Sequence, residues 1–219
     1  MRQEQQTTDL LIGGEPHSMS LVFALLQQDY IVFAADNRHT RGDIHGGYYN
    51  DAGIKTLEIM NCFALLGFAG HNFGEQIVFP ARNKGVLDTG GRSLKKIATG
   101  LSRFARSAYS RFDGTDARPT VQIILAGWSE DYERQRIATS YVLDDRCRFS
   151  PTEITYPSRK FEIIGKSRHG ALYGLHRFGN QDHLPLSAAL KLAASLFAFS
   201  PLDAIFLIGN DATFKSNLG

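Results

Sequence analysis

Between Ser20 and Ala35 the chain runs SLVFALL, then QQD, then YIVFAA: two apolar stretches of strand length joined by a three-residue polar corner. Neither stretch alternates with polar residues, so a strand made from it must be covered on both faces. The two together predict a hairpin that belongs inside a stack of layers rather than on its outside. The pattern recurs. Ile54–Ile59 and Phe63–Gly67 flank the turn Met60-Asn61-Cys62, and Val121–Gly127 and Ile137–Leu143 flank SEDYERQ. Phe161–Ile164 and Asp203–Gly209 are further short strands of the same kind.

Helical spacing is clearest over 92–112, where Leu94, Ile97, Ala98, Leu101, Phe104, Ala105 and Ala108 recur at three and four residues. Basic residues occupy the other side, as expected of a solvated helix face. Residues 71–79, a segment starting near Gly170, and Leu186–Phe199 are the other predicted helices. The order is ββ, ββ, αα, ββ, β, αα, β. Strands and helices in blocks argue against a doubly wound parallel sheet and for an α+β fold. Two antiparallel sheets between helix layers, a four-layer αββα sandwich, would cover both faces of the apolar strands.

A chain of 219 residues buries roughly 70% of its unfolded surface, enough for one domain without a disulfide or metal staple. Residues 1–19, polar and Gln-rich with Gly13-Gly14 and Pro16, form a leader or N-terminal arm, and residues 20–219 form the domain. Lys plus Arg minus Asp plus Glu is 24 − 22 = +2, too balanced to supply nucleic-acid affinity. No window is long and apolar enough for a membrane span, and a secretory signal is not evident. Cys62 and Cys147 are expected as reduced thiols in a cytoplasmic protein. The phosphate-binding loop, H-E-x-x-H, C-x-x-C and G-x-S-x-G are all missing, and the 7 histidines lack ligand spacing. Neither metal nor cofactor is expected.

What remains is a set of polar and glycine residues at strand ends. Asp36 and Arg38 follow YIVFAA, Lys55 opens the next hairpin, and Gly67 and Gly70 close FALLGFAG. A carboxylate at the mouth of an apolar sheet needs a cation, and Lys55 or Arg38 can supply it. Such a pair is either a strand-end salt bridge or a lysine poised to ease deprotonation of a hydroxyl nucleophile.

S-L-V-F-A-L-x4-Y-I-V-F-A-A-D-x-R-x-T, followed by G-I-K-T-L-E-I and A-L-L-G-F-A-G-H, resembles a proteasome β-type subunit, a family of N-terminal nucleophile hydrolases with bacterial relatives. The resemblance runs from about Ser20 to Asp203. It implies the αββα sandwich, assembly into rings and hydrolysis of polypeptides, with an ATP-dependent unfoldase as a further partner. In the family the nucleophile stands sixteen residues before the aspartate, which here is Ser20. By the same resemblance Lys55 and Asp36 are the active-site lysine and aspartate, Gly67 supplies the oxyanion-hole N–H, and Ser167 lies near the terminal amine. Arg38, His39, Thr40, Gly53, Leu65 and Ala69 fall on the substrate side: Thr40 and Ala69 pair with an extended peptide, and His39, Gly53 and Leu65 line the first specificity pocket.

The chain departs from the pattern at four points. Serine replaces threonine at position 20, Met19 replaces the glycine before the cleavage point, and the spacer to Lys55 is about three residues longer. The place of the family's second aspartate falls on Ser195. Two alternatives therefore stand: a non-catalytic scaffold subunit that keeps residues 1–19, and a free-standing amidase or acyltransferase on the same fold.

Overall fold

In a computed structural model of the chain, the described residues are 21–36, 39–41, 48–50, 55–59, 64–70, 73–88, 93–111, 120–130, 135–165, 183–197, 202–209 and 214–216. The first hairpin forms as the apolar runs require: β1 (Leu21–Leu26) pairs antiparallel with β2 (Tyr30–Asp36). Every residue of both strands is buried. Alternation is present but hidden by uniform apolarity. Val22, Ala24, Leu26, Ile31, Phe33 and Ala35 face one core; Leu21, Phe23, Leu25, Tyr30, Val32 and Ala34 face another.

The remaining elements are β3 (His39–Arg41), β4 (Tyr48–Asn50), β5 (Thr56–Ile59), β6 (Ala64–Gly70), α1 (Phe73–Asn83), α2 (Leu94–Ser110), β7 (Val121–Glu130), β8 (Arg136–Asp144), β9 (Thr152–Thr155), β10 (Phe161–Gly165), α3 (Leu186–Leu196), β11 (Leu202–Gly209) and β12 (Phe214–Ser216). One five-stranded sheet has the order β10-β1-β2-β11-β12 and the other β5-β6-β7-β8-β9, while β3 and β4 form a two-stranded sheet. All pairings between neighbours are antiparallel. The inner faces of the large sheets meet through Val22, Phe33, Leu65, Ala69, Ile124 and Ala126. On the outer face of the second sheet, Leu66, Phe68, Ile123 and Leu125 pack on Ile77, Ile97 and Leu101 of α1 and α2. On the outer face of the first, Phe23, Val32 and Ile163 pack on Ala189, Leu192 and Ala193 of α3. The result is the expected αββα order of layers.

Four strands escape the sequence reading. The polar, Gly-rich stretch from Asp36 to Gly53 contains β3 and β4; β9 (TEIT) and β12 (FKS) lie at sheet edges. Edge strands need bury little, so they carry no apolar run to detect. α1 continues to Asn83, past the Pro80 that would end it on sequence grounds. β6 and β7 each run three residues past their expected ends, reaching Gly70 and Glu130. The turn Met60-Asn61-Cys62 and the helix expected from Gly170 lie outside the described residues.

α2 starts where Ser93 accepts the Lys96 N–H (3.4 Å), an N-cap. Its basic face is exposed at Lys95, Lys96, Arg103 and Arg106. Part of that face is structural: Arg106 donates to the Arg148 carbonyl (2.7 Å) and to Ser150 Oγ (3.2 Å). None of the described helices is long and apolar enough to cross a membrane.

α3 is held by the β1–β2 corner. Gln27 Oε1 accepts the Leu184 N–H (3.1 Å), and the Tyr30 hydroxyl donates to the Leu184 carbonyl. Both side chains are buried. Burial, then the Asp29 charge, pushes the Tyr30 phenol from 10.0 up to about 12. An unfolded tyrosine loses its proton near pH 10 whereas the folded one keeps it, so stability is fully present below pH 10 and drains away between pH 10 and about 12. Burial and Glu153 raise Tyr141 as well, with the same sign. Melting temperature measured across this range should fall, and Tyr30→Phe should make the fall shallower by one proton's worth.

Candidate active site

Asp36 ends β2 with no exposed surface. Its two oxygens have separate tasks. Oδ2 accepts the N–H of Leu21 (3.0 Å), the first residue of β1. Oδ1 receives Lys55 Nζ in a buried ion pair; Lys55 is 2% exposed. One carboxylate thus ties the start of β1 to the end of β2 and ties both to the segment entering the second sheet. Of the two cations considered from sequence, Lys55 forms the pair; Arg38 lies outside the described residues.

Lys55 is anchored through its backbone too. Its carbonyl accepts the N–H of Phe68 (3.2 Å), the neighbour of Gly67, and Thr56 stands opposite Gly67 in register. Gly67 faces the other sheet with no room for a side chain. A Cβ there would lie 2.7 Å from Val22 Cγ1 and 2.9 Å from Phe33 Cζ. Glycine at 67 is therefore demanded by packing, whatever its N–H does.

The other expected site residues are distributed unevenly. His39 and Thr40 lie on β3 opposite Asn50 and Tyr49 of β4. Ala69 is two residues beyond Gly67 on β6, buried, opposite Gln122 of β7. Leu65 is wholly buried in the core between the sheets. Ser195 sits on α3, its hydroxyl donating to the Leu192 carbonyl of the same helix (2.7 Å). Ser20, Gly53 and Ser167 lie outside the described residues. Cys147 is an exposed free thiol, and Cys62 also lies outside the described residues. Among the described residues no group of three or more His, Cys, Asp or Glu side chains is arranged to hold a metal ion.

One polar cluster at the same end was not anticipated. Gln122, buried on β7, donates from Nε2 to Asp144 Oδ2 (2.7 Å) and accepts the Gly165 N–H at Oε1 (2.9 Å). Burial works against ionisation of Asp144, but hydrogen bonds from Arg146 and Gln122 and the Arg146 charge outweigh it, holding the carboxyl below its ordinary range. The signal was present in the sequence: Gln122 is the one polar residue in the run VQIILAG.

No family model matches the sequence, and no curated protein matches it. The fold does have solved counterparts. The Anbu (Gly-1) mutant from Hyphomicrobium sp. strain MC1 aligns over 90% of this chain and 86% of its own, with a TM-score of 0.67 at 15% sequence identity. Identity that low, beside near-complete coverage, is what an exchangeable apolar core permits when layer order and volume are kept. Two antiparallel sheets between helix layers, with a buried aspartate–lysine pair at one end, form an αββα fold shared with the Anbu structure.

Proposed function

We propose that this chain is a cytoplasmic, ring-forming proteasome-like subunit that hydrolyses peptide bonds with the hydroxyl of Ser20, exposed by removal of residues 1–19. The observation that carries this reading is the double use of Asp36. Its carboxylate binds Lys55 Nζ and the Leu21 N–H together, and Leu21 is the residue joined to Ser20 in the sequence.

The chemistry follows from these groups. Once residues 1–19 are gone, Ser20 bears a free α-amine that titrates near pH 8 and can act as the base. The Ser20 hydroxyl attacks the scissile carbonyl while its proton passes to the α-amine. The ammonium then protonates the departing peptide amine, leaving an ester on Ser20 that water hydrolyses by the same sequence. The Lys55 charge favours the developing alkoxide, and Asp36 holds Lys55 in place. The Gly67 N–H would face the oxyanion, a donor typically worth roughly 3 kcal/mol. Thr40 and Ala69 would pair with an extended substrate, His39 and Gly53 would shape its first pocket, and Arg38 and Ser167 would flank the reacting end. Polypeptides fed by an unfoldase are the substrate class.

The same pair also supports a non-catalytic scaffold, because Asp36–Lys55 links the two sheets regardless of chemistry. Fluorogenic peptide hydrolysis by the assembled protein separates the readings. The peptidase reading expects turnover that Ser20→Ala abolishes. A ring that is inert as wild type supports the scaffold, and a monomer or dimer active on small amides supports an amidase.

A further inference from the structure

β1 and β10 end together at the Asp36 side of the fold, where Leu21 stands opposite Gly165. Each of these residues hands its backbone N–H to a buried side chain from elsewhere. Leu21 donates to Asp36 (3.0 Å) and Gly165 to Gln122 (2.9 Å). Leu21 is where the chain enters the sheet from Ser20, and Gly165 is where it leaves toward Ser167. Gly165 has φ +115°, a conformation that favours glycine and turns the chain out of the extended strand.

Gln122 suits this place because of its amide. The Gly165 N–H needs an acceptor and the Asp144 carboxylate needs a donor, so the amide orientation is fixed by its partners. Asp144 is braced in turn by the Arg146 backbone N–H (2.9 Å) and side chain (Nε, 3.0 Å). Gln122 also faces Ala69 across the β6–β7 ladder. A polar side chain 8% exposed within an apolar strand therefore links three segments that border the proposed site.

We infer that Gln122 is a positioning residue of the proposed peptidase site, setting the exit of β10 at Gly165 against the start of β1 as Asp36 sets the entry. This rests on the peptidase reading above. Gln122 touches no reacting atom in this account. Its effect is on where the segment carrying Ser167 leaves the sheet relative to Leu21.

The test compares Gln122→Leu with Gln27→Leu in the assembled full chain. Gln27 supplies a similar buried acceptor, to the Leu184 N–H at 3.1 Å, at the other end of β1. Both variants should lower Tm. Only Gln122→Leu should lower kcat, by about 10–100-fold, with KM within about twofold of wild type. Gln122→Met, of equal length and without the amide, serves if the leucine variant does not fold. Equal kcat in the Gln122 and Gln27 variants, beside an active wild type, overturns this inference alone. An inert wild type overturns the peptidase reading and the inference with it.

Discussion

Lys55→Ala is expected to leave residues 1–19 attached, to abolish peptide hydrolysis and to lower Tm by roughly 6–20 °C. The thermal part follows from burial. Asp36 has no exposed surface and Lys55 is 2% exposed, so deleting the ammonium takes a positive charge away from a carboxylate buried inside the protein. Breaking a buried pair from one side typically costs about 3–5 kcal/mol, and each kcal/mol is worth about 2–4 °C in a domain of this size. The chemical part follows from the position of the ammonium. A neutral methyl at position 55 offers nothing to a developing alkoxide. The two parts separate cleanly. A scaffold would show the fall in Tm without any change in mass, because its wild type would already be full length.

Gly67→Ala should be damaging out of proportion to one methyl group. The new Cβ would come within 2.7 Å of Val22 Cγ1 and 2.9 Å of Phe33 Cζ, and both neighbours are fully buried in strands. Neither can swing into solvent, so β1 and β2 must move away from β6. Overpacking of this kind costs about 1–3 kcal/mol, or roughly 2–12 °C. The direction of movement matters more than its energy. Val22 adjoins Leu21, and Phe33 is three residues before Asp36, so the shift separates Asp36 from the β6 side of the site. A loss of activity of about 100-fold is expected for a displacement near 1 Å. Val22→Ala in the same chain should recover part of both effects, since it removes one of the two clashes; purely additive losses would contradict the packing account.

The layer order could be read from the sequence because SLVFALL and YIVFAA leave no polar face. Strands like these must lie between other layers, and blocked helices are the available cover. Edge elements were not legible for the opposite reason. TEIT and FKS are paired by backbone hydrogen bonds that any side chain permits, so composition marks them weakly. The helix through Pro80 was cut short by a local rule that tertiary packing overrides: Ile77, Val78 and Ala81 are all fully buried against the second sheet.

At the candidate site, the need of Asp36 for a cation followed from burial, and the pairing with Lys55 is seen only in the fold. The packing demand on Gly67 could not be foreseen, because its clashing partners, Val22 and Phe33, come from strands of the other sheet. The role of Leu21's N–H was equally invisible, since a backbone donor carries no sequence signature. Gln122 was visible as an intruder in an apolar run, but its partners Asp144 and Gly165 are 22 and 43 residues away.

The central claim, that Ser20 becomes a working N-terminus, is tested most directly by the intact mass of the purified, assembled protein. The account predicts a wild-type chain that has lost residues 1–19 and a Ser20→Ala chain that retains them. A full-length wild-type chain, assembled and silent toward fluorogenic peptides, would contradict it.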